Sequence, residues 1–494
     1  QRQIEALDTK LQRERERVDR TEATFKEQVE KVIKRLETFF VPSPAAPTEP
    51  VTKTKTKPAP APAPAAAAVQ EVVVPKPAPV PETAPAVEEV AVPPVEVDTG
   101  SPLWRMAHGR EVLLQGFHWE SHNHRWYDIM LEKVPEISAC GFTGVWFPPP
   151  SDSIAPQGYL PRDLYKLDTS YGSMDQLKRV VSAMEEHGLH AMADIVINHR
   201  CATSRGSGGK WNRWEGTRMD WDERAICSDN PDFGGQGSHK RGDDFTAAPN
   251  IDHSQDFVRS DLKEWLKWLR SEVGFKSLRF DFTKGYSGEH VGAYIAACQP
   301  EFAVGEFWDT MQYGGGGELE YDQSHHRQRT VNWIDQTKGL SSAFDFTTKG
   351  ILQEACGKNE LWRLVDREGK PPGVIGVWPS HAVTFVDNHD TGSTQAHWQF
   401  PADKVLWAYV YTLTHPGTPS VFWEHLFDWG ADMKRQISEL VHIRKRNDLH
   451  SRSKVEILKA EANLYAAEVD GKVCMCIGGG PRGAPGQQGR RSCR

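Results

Sequence analysis

Four short segments set carboxylates beside histidine, arginine or aromatic residues. They are Asp194-Ile-Val-Ile-Asn198-His199, Arg279-Phe-Asp281-Phe-Thr-Lys284, Gly305-Glu306-Phe-Trp308-Asp309 and Phe385-Val-Asp387-Asn388-His389-Asp390. Each lies in or just after a short apolar run, which puts its carboxylates at the end of a strand. Two close carboxyl groups, one ionised and one protonated, are the minimum equipment for breaking a glycosidic bond. Arg279 lies two residues before Asp281, so on a strand both side chains project to the same face. There the cation is expected to keep Asp281 ionised. Glu306 is followed by Phe307 and Trp308, and desolvation is expected to raise its pKa towards that of a useful acid. Any one of these acids alone would read as a structural ion-pair partner. Acidic strand ends in succession, two of them pairing Asn with His, point to a site.

The elements that must position these groups are short. Apolar runs at 112–117, 144–147, 190–197, 277–282, 302–306, 342–346, 382–386 and 419–422 alternate with helical stretches such as 174–187, 257–272 and 403–413. Eight strand–helix alternations predict a (β/α)8 TIM barrel, whose site lies at the C-terminal ends of the strands. The connection after the third strand, 199–253, is long and rich in Gly, Asp and Trp. A loop of that size inside a barrel is normally functional, and it is read as a subdomain walling the cleft. Trp211, Trp214 and Trp221 within it either line the cleft or form the subdomain's own small core.

The formal net charge is -8, from 59 basic and 67 acidic residues, which argues against a nucleic-acid partner. No apolar run is long enough to span a bilayer. The chain begins with Gln rather than Met and has the look of a fragment or processed product, with no targeting peptide visible. The eight cysteines lack metal-ligand spacing and read mostly as free thiols of a reducing compartment. Residues 1–40 lack Gly and Pro and carry an apolar residue every seven positions, from Ile4 to Phe39. The companion seam is poor, so this segment is a solvated helix or a self-associating coiled coil. Residues 41–101 are dominated by Pro, Ala, Val and Glu and read as a disordered linker. The barrel is expected over 102–446. Strand candidates at 454–458, 464–469 and 472–477 suggest a partial C-terminal antiparallel sheet over 447–477. The Gly/Pro/Arg-rich residues 478–494 read as a disordered tail. A sheet left incomplete there would expose strand edges and invite proteolysis after about Ile477 and aggregation.

From about Glu111 to Ile477 the chain resembles plant-type alpha-amylases, and most of all the plastidial ones. The resemblance rests on Gln115-Gly-Phe117, Pro148-Pro-Pro150, Gly158-Tyr-Leu-Pro161, Ala248-Pro-Asn-Ile-Asp-His253, Leu413-Thr-His-Pro-Gly417 and the segments around Asp194 and Asp387. It implies endo-acting hydrolysis of alpha-1,4-glucosidic bonds in starch-like glucans by a retaining double displacement, and a plastid location. Within it Asp281 is the expected nucleophile, Glu306 the general acid/base and Asp390 the third carboxylate. His199, Arg279 and His389 are expected to donate to the reacting sugar, above Tyr159 as a stacking platform, with Lys284 and Trp308 as further substrate contacts.

The family also implies a structural calcium, here matched by Asn198, Asn250 and the Gly285 carbonyl, with a carbonyl near Asp243. Asn250 and Lys240 stand where acids are usual, so the site is expected to be weak or empty. A surface starch site built on adjacent tryptophans is reduced here to Val377-Trp378, and His325-His326 reads as surface. The rivals are a glucan transferase on the same barrel and a non-catalytic glucan-binding or regulatory protein.

Overall fold

The computed structural model describes residues 109–479 except residue 241. The expectations for 1–40, for 41–101 and for the tail from 480 onwards lie outside those residues.

Each barrel strand is a short buried run, with only His190, the first residue of the third strand, partly exposed. They are β1 (Leu113–Gln115), β2 (Gly144–Trp146), β3 (His190–Ile195), β4 (Ser277–Phe280), β5 (Phe302–Gly305), β6 (Ser342–Phe344), β7 (Ala382–Phe385) and β8 (Thr418–Phe422). All pair in parallel with their chain neighbours, and β8 closes on β1 through Leu114 opposite Val421. Parallel strands covered on both faces need no polar alternation, which is why they read as apolar runs. In the β3–β4 register Asp194 lies opposite Arg279, so two of the polar segments meet at one level.

The helices carry their own signals. Met174–Glu186 buries Leu177, Val180, Val181 and Met184, the i, i+3, i+4, i+7 stripe of a helix packed on one side. Its Ser173 accepts from the Gln176 backbone while the Gln176 side chain accepts from the Ser173 N–H, a reciprocal cap contributing about 1 kcal/mol. The stretch 257–272, expected as one helix, is α-helical over Asp256–Trp268 and finishes in a wider π turn, Leu269–Val273. It stops at Gly274, whose φ of +96° suits a residue without a Cβ.

The loop after β3 forms the expected subdomain. It contains the antiparallel pair Ser204–Arg205 and Trp211–Arg213. Trp214 and Trp221 are its core, meeting edge to face with centroids 5.9 Å apart, and the buried Arg200 guanidinium lies over both rings. Trp211 stays exposed.

Strands β9 (Val455–Glu461), β10 (Leu464–Val469) and β11 (Val473–Gly478) make an antiparallel sheet with β10 in the middle. Tyr465, Ala467 and Val469 alternate inwards, and the Tyr465 hydroxyl meets His415 Nε2 at 2.8 Å. Arg444, fully buried, donates to the carbonyls of Leu413, His415 and Gly417 and so fixes the turn before β8.

His326, read from the sequence as surface, is buried. It meets Thr347 Oγ1 and the Asp309 carbonyl on the inward face of helix Ser324–Gln336, whereas its neighbour His325 is exposed. Cys140, Cys201, Cys227, Cys298 and Cys356 are buried thiols, and Cys474 and Cys476 are exposed. Among the described residues no helix is long and apolar enough to cross a membrane.

Candidate active site

The C-terminal ends of β3, β4 and β5 converge on one cation. Arg279 is wholly buried, and its Nη1 donates to Asp194 Oδ1 at 2.8 Å and to Asp281 Oδ1 at 2.6 Å. Its Nη2 lies 2.6 Å from Glu306 Oε1. Asp194 is held from the other side by the Tyr159 hydroxyl at 2.9 Å and the Trp146 indole N–H at 3.0 Å.

The backbone makes the last connection. Phe282, directly after Asp281, has φ +44° and ψ +50°, a left-handed conformation uncommon for a bulky residue and typical of functional sites. It turns the Phe282 N–H onto Glu306 Oε2 at 3.2 Å. Gly305 allows Glu306 its place, since a Cβ there would sit 2.0 Å from the Trp333 ring.

One guanidinium cannot neutralise three acids out of water. Burial is the first cause in each case, and it pushes Asp194 up to about 6, Asp281 to about 7 and Glu306 to about 8. Arg279 opposes the rise, but the neighbouring acids add to it. Arg279 favours the ionised form of Asp281, as expected, but it divides its charge three ways and burial still leaves Asp281 above the usual carboxylate range. The order still assigns the last proton to Glu306. The group behaves as one coupled set.

The β7 end supplies the rest. Gln115 Nε2 donates to His389 Nδ1 at 2.9 Å, leaving Nε2 to face Asp390 Oδ2 at 3.3 Å. Gln395 holds the other Asp390 oxygen at 3.0 Å. His389 lies nearly parallel to the Tyr159 ring, centroids 5.0 Å apart, with Trp119 stacked alongside both. Beneath them Asp387 pairs with the buried Lys349 ammonium at 3.0 Å and accepts from Thr391 and the Phe400 N–H, which anchors the loop carrying His389 and Asp390.

His199 donates from Nε2 to the Tyr159 carbonyl at 2.8 Å and stacks on Phe245, centroids 3.7 Å apart. Burial lowers the pKa of both His199 and His389 to about 4, so both are neutral rings. Trp308 stacks on Phe346 and, further out, on Trp398, a half-buried aromatic tier beside Glu306. Lys284 is engaged with Asp243 at 2.8 Å and Asp309 at 2.9 Å, a tie between loops.

Comparison with known proteins agrees with this geometry. Residues 126–222 match the family model described as alpha amylase, catalytic domain, and 446–488 match the alpha-amylase C-terminal beta-sheet domain. The chain is 56% identical over 372 residues to "Probable alpha-amylase 2" of Arabidopsis thaliana, covering 75% of this chain and 89% of that one. It is 50% identical over 403 residues to "Alpha-amylase 3, chloroplastic" of the same plant, covering 81% of this chain but 45% of that longer protein. The chain belongs to the alpha-amylase family. A solved alpha-amylase from Malbranchea cinnamomea shares the fold at a TM-score of 0.56 and 17% identity, over 74% of this chain and 84% of that one.

The calcium that the family implies does not fit the residues here. Asn250 Oδ1, a matched ligand, accepts a hydrogen bond from the Lys240 ammonium at 2.9 Å. Asn198 and Asn250 bring no carboxylate, and calcium affinity follows ligand charge. Among the described residues no group of three or more His, Cys, Asp or Glu is placed to hold a metal ion.

Sequence reasoning named Asp194 in a motif without giving it a partner in the site, and it missed the support from Trp146, Trp119, Phe245 and Gln395. Gln115 was in plain view within Gln115-Gly-Phe117. The others had no local signal. The surface pair Val377-Trp378 places Val377 outwards, while Trp378 packs on His381 with centroids 4.3 Å apart.

The raised carboxyl pKa values have a thermodynamic consequence. Between about pH 4 and about pH 8 the folded chain keeps protons on these acids that the unfolded chain has released. The folded state binds more protons there, so stability falls as pH rises through that window. Glu306→Gln is expected to flatten the upper part of the decline, and Tm of both proteins measured from pH 5 to pH 9 checks it. Parallel curves would contradict it.

Proposed function

We propose that the chain is an endo-acting hydrolase of alpha-1,4-glucosidic bonds in starch-like glucans, working by a retaining double displacement. The observation that supports this reading is Asp281 and Glu306 held at the ends of β4 and β5 against neighbouring nitrogens of one guanidinium, the carboxyl pair that glycoside cleavage needs. In the first step Asp281 attacks the anomeric carbon as Glu306 gives its proton to the departing glycosidic oxygen, leaving a covalent glycosyl ester. In the second, Glu306 takes a proton from water, the oxygen attacks the same carbon, and Asp281 leaves as a carboxylate. Arg279 keeps the attacking carboxylate oriented. Asp390 faces the positive charge that grows on the ring, and His199 and His389, neutral, serve as donors and acceptors to sugar hydroxyls above Tyr159. Trp308 offers a face for a neighbouring sugar.

Incubating the purified chain with soluble starch, sizing the products and following the new anomeric signal by proton NMR tests the reading. Rapid loss of long chains with the alpha-anomer appearing first is expected. A beta-anomer would exclude the retaining route. Lengthened oligosaccharides in place of shortened ones would favour the glucan transferase, and no turnover would favour the non-catalytic reading, which the complete set of carboxylates disfavours. A plastid location is part of the proposal, supported by the chloroplastic relative. Imaging a fluorescent fusion of the full-length protein checks it.

A further inference from the structure

Lys240 lies in the third-loop subdomain with its side chain only 4% exposed. Its ammonium donates to Asn250 Oδ1 at 2.9 Å and lies 3.5 Å from Asp244 Oδ1. The same Asn250 oxygen accepts from the Phe245 N–H at 3.2 Å, and the Asn250 amide donates back to the Phe245 carbonyl at 2.9 Å. Phe245 is the residue stacked on His199. A further run of contacts joins the subdomain to the loop after β4. The Asp243 N–H donates to the Lys284 carbonyl at 2.9 Å, and Asn198 Oδ1 comes so close to Gly285 that a Cβ there would lie 1.9 Å from it.

We infer that the Lys240 ammonium is a built-in replacement for a divalent cation. It holds the amide oxygen of Asn250, and through Phe245 the ring of His199, in the arrangement that a bound metal would otherwise impose. The chemistry favours an organic cation. An ammonium offers three donors and suits neutral amide oxygens. Calcium takes six to eight oxygens and draws its affinity from carboxylates, and a lysine at 2.9 Å from one of its ligands would repel it. Because the lysine belongs to the chain, the link costs no free ion and cannot be stripped by a chelator.

The test uses the full chain and calcium itself. After exhaustive dialysis against EDTA, wild type is expected to keep its Tm, to gain nothing from added calcium and to bind no calcium in equilibrium dialysis. A Tm that falls in EDTA and recovers with calcium, or one tightly bound calcium per chain, would overturn the inference. Lys240→Met keeps the stem and removes the donors. It is expected to lower Tm by about 2–4 °C, with calcium unable to restore it. An unchanged Tm would count against a holding role. The double variant Lys240→Asp/Asn250→Asp supplies two carboxylates and is expected to acquire a saturable, calcium-dependent rise in Tm. A double variant indifferent to calcium would show that the ammonium does not occupy a cation's place. None of these readouts depends on starch hydrolysis, so they stand or fall apart from the proposed activity.

Discussion

Glu306→Gln and Asp281→Asn are each expected to lower kcat by about a thousandfold or more while the chain stays folded. The glutamine retains the shape of Glu306 but has no proton to pass to the leaving oxygen, and positioned acid–base catalysis alone contributes about 10²–10⁴-fold. The asparagine cannot form the glycosyl ester, so the first displacement fails outright. Because the two residues act as a unit, the double variant should be little worse than either single one. Stopped assays on soluble starch, with circular dichroism to confirm folding, provide the check. Near-normal turnover in either variant would remove that residue from the proposed chemistry. The pH profile supplies a second reading of the same pair. Glu306 is raised to about 8 and Asp281 to about 7, so activity should fall on the alkaline side as the acid loses its proton. The limb should be absent with an activated aryl glycoside, whose departure needs no protonation.

Arg279→Leu is expected to be more damaging to the fold than either catalytic change. Removing the guanidinium leaves Asp194, Asp281 and Glu306 facing one another with no cation among them. Breaking a buried ion pair on one side costs about 3–5 kcal/mol when the other charge stays behind. Here the acids can escape part of that cost only by taking up protons. The variant should therefore be least stable at high pH and should recover markedly as pH falls from about 8 to about 5, a steeper dependence than wild type shows. Urea unfolding at pH 5 and pH 8 measures it. Equal losses at both pH values would mean that the three acids are not coupled through Arg279.

The barrel was legible because its strands are buried on both faces and so appear as eight separate apolar runs. The candidate acids were legible because each sits where such a run ends. What could not be read were contacts set by strand register and by loops folding back. Asp194 meets Arg279 only because β3 and β4 pair with those residues opposite. That pairing divides the guanidinium's charge among three acids rather than giving it to Asp281. Phe282 adopts a left-handed backbone that no propensity assigns to phenylalanine. His326 turns inwards because it shares the packed face of helix Ser324–Gln336 with Thr330, Trp333 and Ile334. The Lys240–Asn250 contact was visible only as a missing acid at each position, and folding showed that the two replacements answer each other.

The distribution of thiols turns the native chain into its own reporter. Burial pushes Cys201, Cys227 and Cys356 up to about 12 and Cys298 to about 11, so these sulfurs are neither reachable nor ionised while their surroundings hold. They sit in different sectors: the start of the third loop, its interior, the helix after β6 and the helix after β4. Cys474 and Cys476 lie open on β11. An alkylating reagent would thus tag β11 at once. It would reach each of these four buried sulfurs only when its sector opens, so the order of their labelling would chart how the architecture comes apart without any engineered probe.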